Sequence, residues 1–337
     1  MTNRNASRTI AGFNYQEMVG LIVFFDNLEK ATEVNIEGQD DIDLLFEDGT
    51  VSYYQVKETS DPSKSGLGQF KKALDTLDDD LSTGNEIKYL VYVSNSYRPL
   101  GGANIKDELF LRDKGLFRYE DFRKELRDKI DSQSGKHACV NKKEKFRIMK
   151  IAYSGADAET REKVYDDCIK KFAGKAGLTN RFFFKERMKS IAQNIAENPQ
   201  EKLTKKQLCL TAEVCEILNT KRIDDFFDDC NISPFNHTYI EDKYEDFCDD
   251  MAFDFEPSLM IQKRYMEFIS KNKNMKSTEV KSSFIKKQIK ILEKEILGEE
   301  VNSQREEDVF KLWVWNVVGS IGLEKKIRKA ANYHENQ

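Results

Sequence analysis

Four polar residues stand at strand spacing in the most regularly alternating part of the chain: Asp41 and Asp43 in "DDIDLLF", and Gln55 and Lys57 in "SYYQVKE". Carboxylate, amide and lysine side chains are the groups that phosphodiester hydrolysis uses. Carboxylate and carbonyl oxygens are hard ligands suited to Mg²⁺, with Mn²⁺ as the alternative ion. Such an ion neutralises developing charge and activates a water. The lysine then orients or helps deprotonate that water, or stabilises the pentacovalent transition state. The competing assignment is a solvated sheet face with a cross-strand acid–lysine pair of small energetic weight.

The chemistry requires the four residues to share a face, and the turn between the strands decides this. Side chains alternate across a strand, so Ile42, Leu44 and Phe46 oppose Asp41, Asp43 and Leu45, while Tyr54 and Val56 oppose Gln55 and Lys57. A two-residue Asp48-Gly49 loop would set Asp43 opposite Tyr54 and send the acids and the lysine to opposite faces. A three-residue loop with Gly49 in the left-handed conformation pairs positions of like parity and gathers Asp41, Asp43, Gln55 and Lys57. The three-residue loop is the one expected.

The elements that would carry these residues follow from periodicity. Apolar spacing predicts a helix over about 14 to 30, a short strand over about 32 to 37 and alternating strands over about 41 to 47 and 51 to 58. A helix over about 67 to 82 and a buried strand at 87 to 95 complete an α, β, β, β, α, β order. After "RPLGG" at 98 to 102 turn residues thin out, and stretches such as "YEDFRKELRDKI", "FFFKERMKSIAQNIAE" and "SSFIKKQIKILEKEIL" read as amphipathic helix. Two domains are expected, 1–98 and a nearly all-helical 99–337.

That order, with an acid on the second strand and Q-x-K on the third, resembles the PD-(D/E)xK nuclease superfamily in its Mrr-like, QxK branch. The stretch "ASRTIAGFNYQEMVGLIVFFDNL" followed by "IEGQDDIDLLFEDGTVSYYQVK" is similar to the nuclease domain of SAVED-associated CBASS effectors and of Lamassu LmuA-type antiphage effectors, over about residues 6 to 96. The resemblance implies a restriction-endonuclease-like α/β (α+β) core followed by a helical region for oligomerisation, partner docking and regulation. It implies a Mg²⁺-dependent DNA endonuclease of low sequence specificity. Asp43 matches the metal-binding acid, Gln55 the second metal position and Lys57 the motif lysine; the backbone carbonyl of Val56 is a further ligand. Gln16 or Glu17 matches the polar helix residue that the branch directs into the site, with Gln16 ranked first. Asp41 is a further ligand or the partner that holds Lys57. Gly12, Phe13 and Tyr15 are expected to form the turn and packing that seat the helix, Gly12 close to backbone and Tyr15 in the core.

Nothing in 99–337 resembles a SAVED sensor, which favours the Lamassu-type arrangement, with double-stranded DNA as substrate and an SMC-like ATPase and accessory subunit as partners. Two alternatives stand beside it: a non-catalytic scaffold subunit that keeps the nuclease fold, and a cyclic-oligonucleotide-controlled CBASS-type effector.

Composition fits a soluble protein: of 337 residues, 34% are charged and 39% hydrophobic, which favours neither disorder nor a membrane class. The longest apolar runs, such as "GLIVFF", are far short of a bilayer span, and "MTNRNASRTI" lacks a signal peptide's apolar core, so a cytoplasmic address is expected. Six cysteines without a CxxC pair are expected to be buried, reduced thiols rather than zinc ligands. Residues 1–98 carry nine Lys plus Arg against seventeen Asp plus Glu, a net of −8, and the remainder of the chain is +3. An acidic core is repelled by DNA, so activity gated by assembly into a homo-oligomer or by release from partners is expected. "NKKEKFR" and "KSSFIKKQIK" are the candidate phosphate-contacting stretches, "DDFFDDC" and "EDKYEDFCDDMAFDFE" candidate docking surfaces, and "FKLWVWNVVGSIG" a buried helix or oligomer contact.

Overall fold

The computed structural model describes residues 3–37, 41–101, 108–155, 157–198, 200–218, 223–252, 255–298, 301 and 303–334. Residues 38–40, inside the hairpin stretch, and 253–254, inside the second acidic stretch, lie outside the described residues.

Tyr15, Met18, Val19 and Ile22 recur at helical spacing and are buried on the first helix, α1 (Asn3–Asp26). Strands β1 (Ala31–Ile36), β2 (Ile42–Phe46) and β3 (Val51–Lys57) follow, then α2 (Leu67–Asp80) and β4 (Ile87–Ser94). The order α, β, β, β, α, β is therefore present. The chain continues with β5 (Lys114–Arg118), α3 (Lys124–Asp131), β6 (Phe146–Ile151), α4 (Ala158–Arg161), α5 (Lys163–Ala176), α6 (Arg181–Glu197) and β7 (Leu203–Thr204). Seven strands form one mixed sheet in the order β5-β6-β4-β3-β2-β1-β7. The β3–β4 and β4–β6 pairs are parallel, and the remaining pairs are antiparallel.

The two sheet faces are covered differently. Helix α1 lies on the face of Ile36 and Ile42, so close that a methyl group at Gly20 would come within 2.8 Å of Ile36. On the other face Val51, Tyr53, Leu90, Tyr92, Phe146 and Ile148 pack with Phe70, Ala73, Leu74 and Leu77 of α2 and with α3.

The chain divides into two compact units: residues 1–172 with 185–205, and residues 173–184 with 206–337. The expected boundary at 98 does not coincide with this division, because β5, β6 and β7 all belong to the sheet. The expectation of an almost wholly helical 99–337 is corrected by the same strands. "FRIMKI" carries basic residues within an apolar run, and all six of its residues are buried in β6.

The second unit is helical: α7 (Lys205–Ile217), α8 (Ile223–Cys230), α9 (His237–Asp250), α10 (Glu256–Lys271), α11 (Ser277–Ile296), α12 (Gln304–Gly319) and α13 (Leu323–Ala331). Its core centres on α12, where Phe310, Trp313, Val314 and Val317 are buried with Phe226, Tyr244 and Phe284. The stretch "FKLWVWNVVGSIG" is thus interior from Phe310 to Val318, while Ile321 is 40% exposed and Gly322, at φ +81°, precedes α13.

The hairpin loop spans Glu47, Asp48 and Gly49: Phe46 N–H donates to Thr50 O at 3.0 Å, and Gly49 N–H donates to Phe46 O at 3.0 Å. Gly49 has φ +79°, and a methyl group placed there meets nothing within 4 Å. This is the expected odd loop. Gly49→Ala is therefore a pure test of backbone strain, expected to cost about 1–2 kcal/mol by denaturant titration.

Candidate active site

The odd loop sets the register. Ile42 pairs with Tyr54, Asp43 with Tyr53 and Leu44 with Ser52, so residues of like parity face each other. Asp43, Gln55 and Lys57 consequently share the sheet face that carries α2, and Gln55 lies diagonal to Asp43. Gln55 is 2% exposed, whereas Asp43 is half-buried.

Asp41 stands just before β2. Its Oδ2 accepts the N–H of Val56 at 2.7 Å and the Lys57 ammonium at 3.3 Å. The carboxylate thus takes the place of a backbone acceptor beyond the last strand pair and binds Lys57 to the same point. Of the two roles expected for Asp41, ligand or lysine partner, this geometry is that of the partner. Val56, expected to offer its carbonyl, is held here through its amide.

From α1, Gln16 donates from Nε2 to the carbonyl of Asp41 at 3.0 Å and also hydrogen-bonds the carboxyl of Glu37. Glu37 N–H donates to the same carbonyl at 2.9 Å, with Glu37 in the left-handed region at φ 60°. Burial pushes the Glu37 carboxyl up, as does the charge of Asp41, while Gln16 and Lys57 pull it down. Sequence reading did not include Glu37: it was expected at the end of the short strand over about 32 to 37, ahead of the motif, whereas β1 ends at Ile36.

Glu17 does not enter this cluster. It lines a cavity of about 290 Å³ with Tyr153, Glu162, Glu186 and Lys189, and burial, followed by Glu197 and Glu37, raises its carboxyl. Tyr15 is fully buried, donates to Ile151 O at 3.1 Å and packs its ring 5.1 Å from Tyr153. Gly12 and Phe13 correct the sequence reading. Both lie within α1, a methyl group at Gly12 would meet nothing within 4 Å, and Phe13 is 49% exposed.

Beside Lys57 the parallel strands align Lys57 with Ser94 of β4 and Ser94 with Lys150 of β6, a lateral row on one face at the carboxyl ends of three strands. In open α/β sheets that end is where ligands bind. Ser94 and Lys150 are each 1% exposed. Burial pulls the Lys150 ammonium down to about 8, against the opposing pull of Asp113. Sequence reading missed Lys150; a lysine inside "FRIMKI" was the available signal.

No family model, no curated protein and no solved structure matches the chain.

Among the described residues no three His, Cys, Asp or Glu side chains come together as a metal-holding group. Mg²⁺ commonly takes one or two carboxylates and completes its shell with water and substrate oxygens, so a site with one carboxylate, Asp43, and the Gln55 amide oxygen is within its chemistry. Cys139, Cys168, Cys209, Cys215, Cys230 and Cys248 are free, and all but Cys230 are buried. His137 is bound to Asp78 at 3.0 Å, and the same carboxylate accepts the N–H of Cys139 at 2.7 Å, so the His137–Cys139 pair serves packing.

In the two basic stretches Lys142, Lys286, Lys287 and Lys290 are exposed, while other basic side chains are engaged within the fold. Arg147 is buried and donates to the carbonyls of Lys143, Glu144 and Phe146. In the helical unit Lys281 sits 3.6 Å from the Trp315 ring centroid, and Lys290 pairs with Glu293 and Glu307. No helix among the described residues is long and apolar enough to cross a membrane.

Proposed function

We propose that the protein is a Mg²⁺-dependent DNA endonuclease of low sequence specificity, in which the carboxyl end of the sheet cuts a phosphodiester. The observation that carries this reading is the register: the odd loop at Gly49 places Asp43, Gln55 and Lys57 on one face, with Asp41 fixing Lys57. The α, β, β, β, α, β order and the likeness of the G-x-x-Y-Q, D-x-D and Q-x-K set to the PD-(D/E)xK family add support.

Asp43 and the Gln55 amide oxygen would hold Mg²⁺, or Mn²⁺ in its place, which when bound supplies charge neutralisation and an activated water. Asp41 holds the Lys57 ammonium where it donates to an oxygen of the reacting phosphate or to the attacking water. Gln16 fixes the Asp41 carbonyl and steadies the start of β2. The acidic 1–98 region repels DNA, so the proposal includes gating by a homo-oligomer or partner complex, in the role of an antiphage effector of Lamassu type beside an SMC-like ATPase.

The test is cleavage of supercoiled plasmid with protein and Mg²⁺, with EDTA as control and protein concentration varied. Cleavage that needs the metal and rises steeply with concentration is expected. One observation favours a second reading, a scaffold that keeps the fold: Lys57 is already engaged by Asp41 and Gln55 is nearly inaccessible. Failure to cut at any concentration, with DNA still bound, would support that scaffold.

A further inference from the structure

We infer that Lys150, acting through Asn95, is a positioning residue for the segment that carries Lys57. The inference rests on the nuclease reading for its kinetic consequence, while its structural half stands by itself.

Lys150 is the most deeply buried cationic side chain among the described residues of the sheet unit, 1% exposed against 4% for Lys205 and 8% for Arg147. Burying an ammonium is costly unless a specific contact compensates, so a lysine in such a place marks a constraint that an apolar residue would not supply. Its Nζ donates to the backbone carbonyl of Asn95, and the ammonium lies 4.7 Å from the Tyr97 ring centroid. Both contacts fix the chain as it leaves β4.

Asn95, itself fully buried, passes that constraint on. Its Oδ1 accepts the N–H of Thr59 at 2.8 Å, and its Nδ2 donates to Thr59 O at 2.8 Å and to Tyr153 O at 3.1 Å. One amide therefore clasps the segments that follow β3, β4 and β6. Thr59 is two residues beyond Lys57, and its hydroxyl donates to Gln69 Oε1 at 2.7 Å, while Gln69 Nε2 donates to Glu58 O at 2.7 Å. The clasp fixes the backbone on the far side of Lys57, and Asp41 fixes the near side through Val56 N–H. Lys150 and Lys57 stand two strands apart, roughly 10 Å between backbones, so Lys150 acts through this chain of bonds.

The geometry gives Lys150 one more task. Tyr153, whose carbonyl the clasp holds, packs on Tyr15, the neighbour of Gln16. The same bond network thus ties the Lys57 segment to the helix that supplies Gln16.

Lys150→Met tests this, because it keeps the length and removes the donor. Amide hydrogen exchange should show Thr59 N–H losing protection by tenfold or more while the Phe46 and Val56 amides keep theirs. In plasmid cleavage kcat should fall about 100-fold with KM within twofold, the signature of a displaced group rather than lost binding. Asn95→Ala removes the acceptor of Thr59 N–H together with the donations to Thr59 O and Tyr153 O; it should show the same exchange change and covers a Lys150 variant that fails to fold. Unchanged Thr59 protection in a folded variant overturns the inference, as does a rise in KM with kcat intact. If the wild type cuts no DNA, the nuclease reading fails while the exchange result alone still decides the clasp.

Discussion

Lys57→Ala should slow Mg²⁺-dependent plasmid cleavage by on the order of 10³-fold while leaving the fold intact. The lysine side chain is 28% exposed and pairs with Asp41, itself 22% exposed, at 3.3 Å. A partly solvated pair of this kind contributes about 1 kcal/mol or less to stability. Asp41 also keeps the Val56 N–H after the change, so the end of the hairpin stays closed. What disappears is the ammonium that would meet developing charge. Lys57→Arg restores the charge but spreads it over a planar fork, and should recover only part of the rate. Equal cleavage by Lys57→Ala and wild type, with melting unchanged, would remove the hairpin from the catalytic reading.

Glu213→Gln should stabilise the helical unit by on the order of 3 kcal/mol at pH 8, an effect that vanishes below about pH 4. Glu213, on α7, is 4% exposed, and its Oε1 has no hydrogen-bond partner. Burial pushes its carboxyl up to about 7 and Glu324 adds to this, while Ser258 and Arg328 act against it. The unfolded chain releases this proton near the ordinary carboxylate value, about 4.3. Between there and 7 the folded state holds more protons than the unfolded one, so stability is greatest at the acidic end and is lost as pH rises through about 7. Glutamine keeps the shape without the charge and should flatten that slope. Both tryptophans lie on α12 in the same unit, so their fluorescence in urea at pH 4.5 to 8.5 reads the transition. A wild-type midpoint that does not move over that range would contradict a neutral buried Glu213.

The local elements were legible where pattern and burial agree. Strands β2 and β3 alternate, β4 is an apolar run flanked by turn residues, and α1 and α2 show helical spacing; each lies where periodicity puts it, apart from α1, which starts and ends earlier. The loop parity was also legible, because only a loop of odd length collects the four polar residues on a single face. The path of the chain after residue 98 was not. Strand β5 contributes few apolar residues of its own, and β6 takes its place by pairing with β4 some fifty positions earlier. That pairing is a tertiary choice that local propensity does not encode. Glu37, Asn95 and Lys150 escaped for the same reason: each matters through a partner distant in sequence. Sequence ranked Gln16 ahead of Glu17 but kept both, and it is the pitch of α1 that turns the first toward Asp41 and the second into the Glu186–Lys189 cavity.

The three-residue turn at Glu47, Asp48 and Gly49 makes the hairpin a counting device. Two residues added there leave every downstream side chain on its own face, while one residue added or removed exchanges the polar row for Tyr54 and Val56 throughout β3. Length changes in this turn should therefore divide by evenness rather than by size. An inserted Gly-Gly should preserve the cleavage rate to within a few-fold, and a single inserted Gly should abolish it, although the single insertion disturbs the chain less.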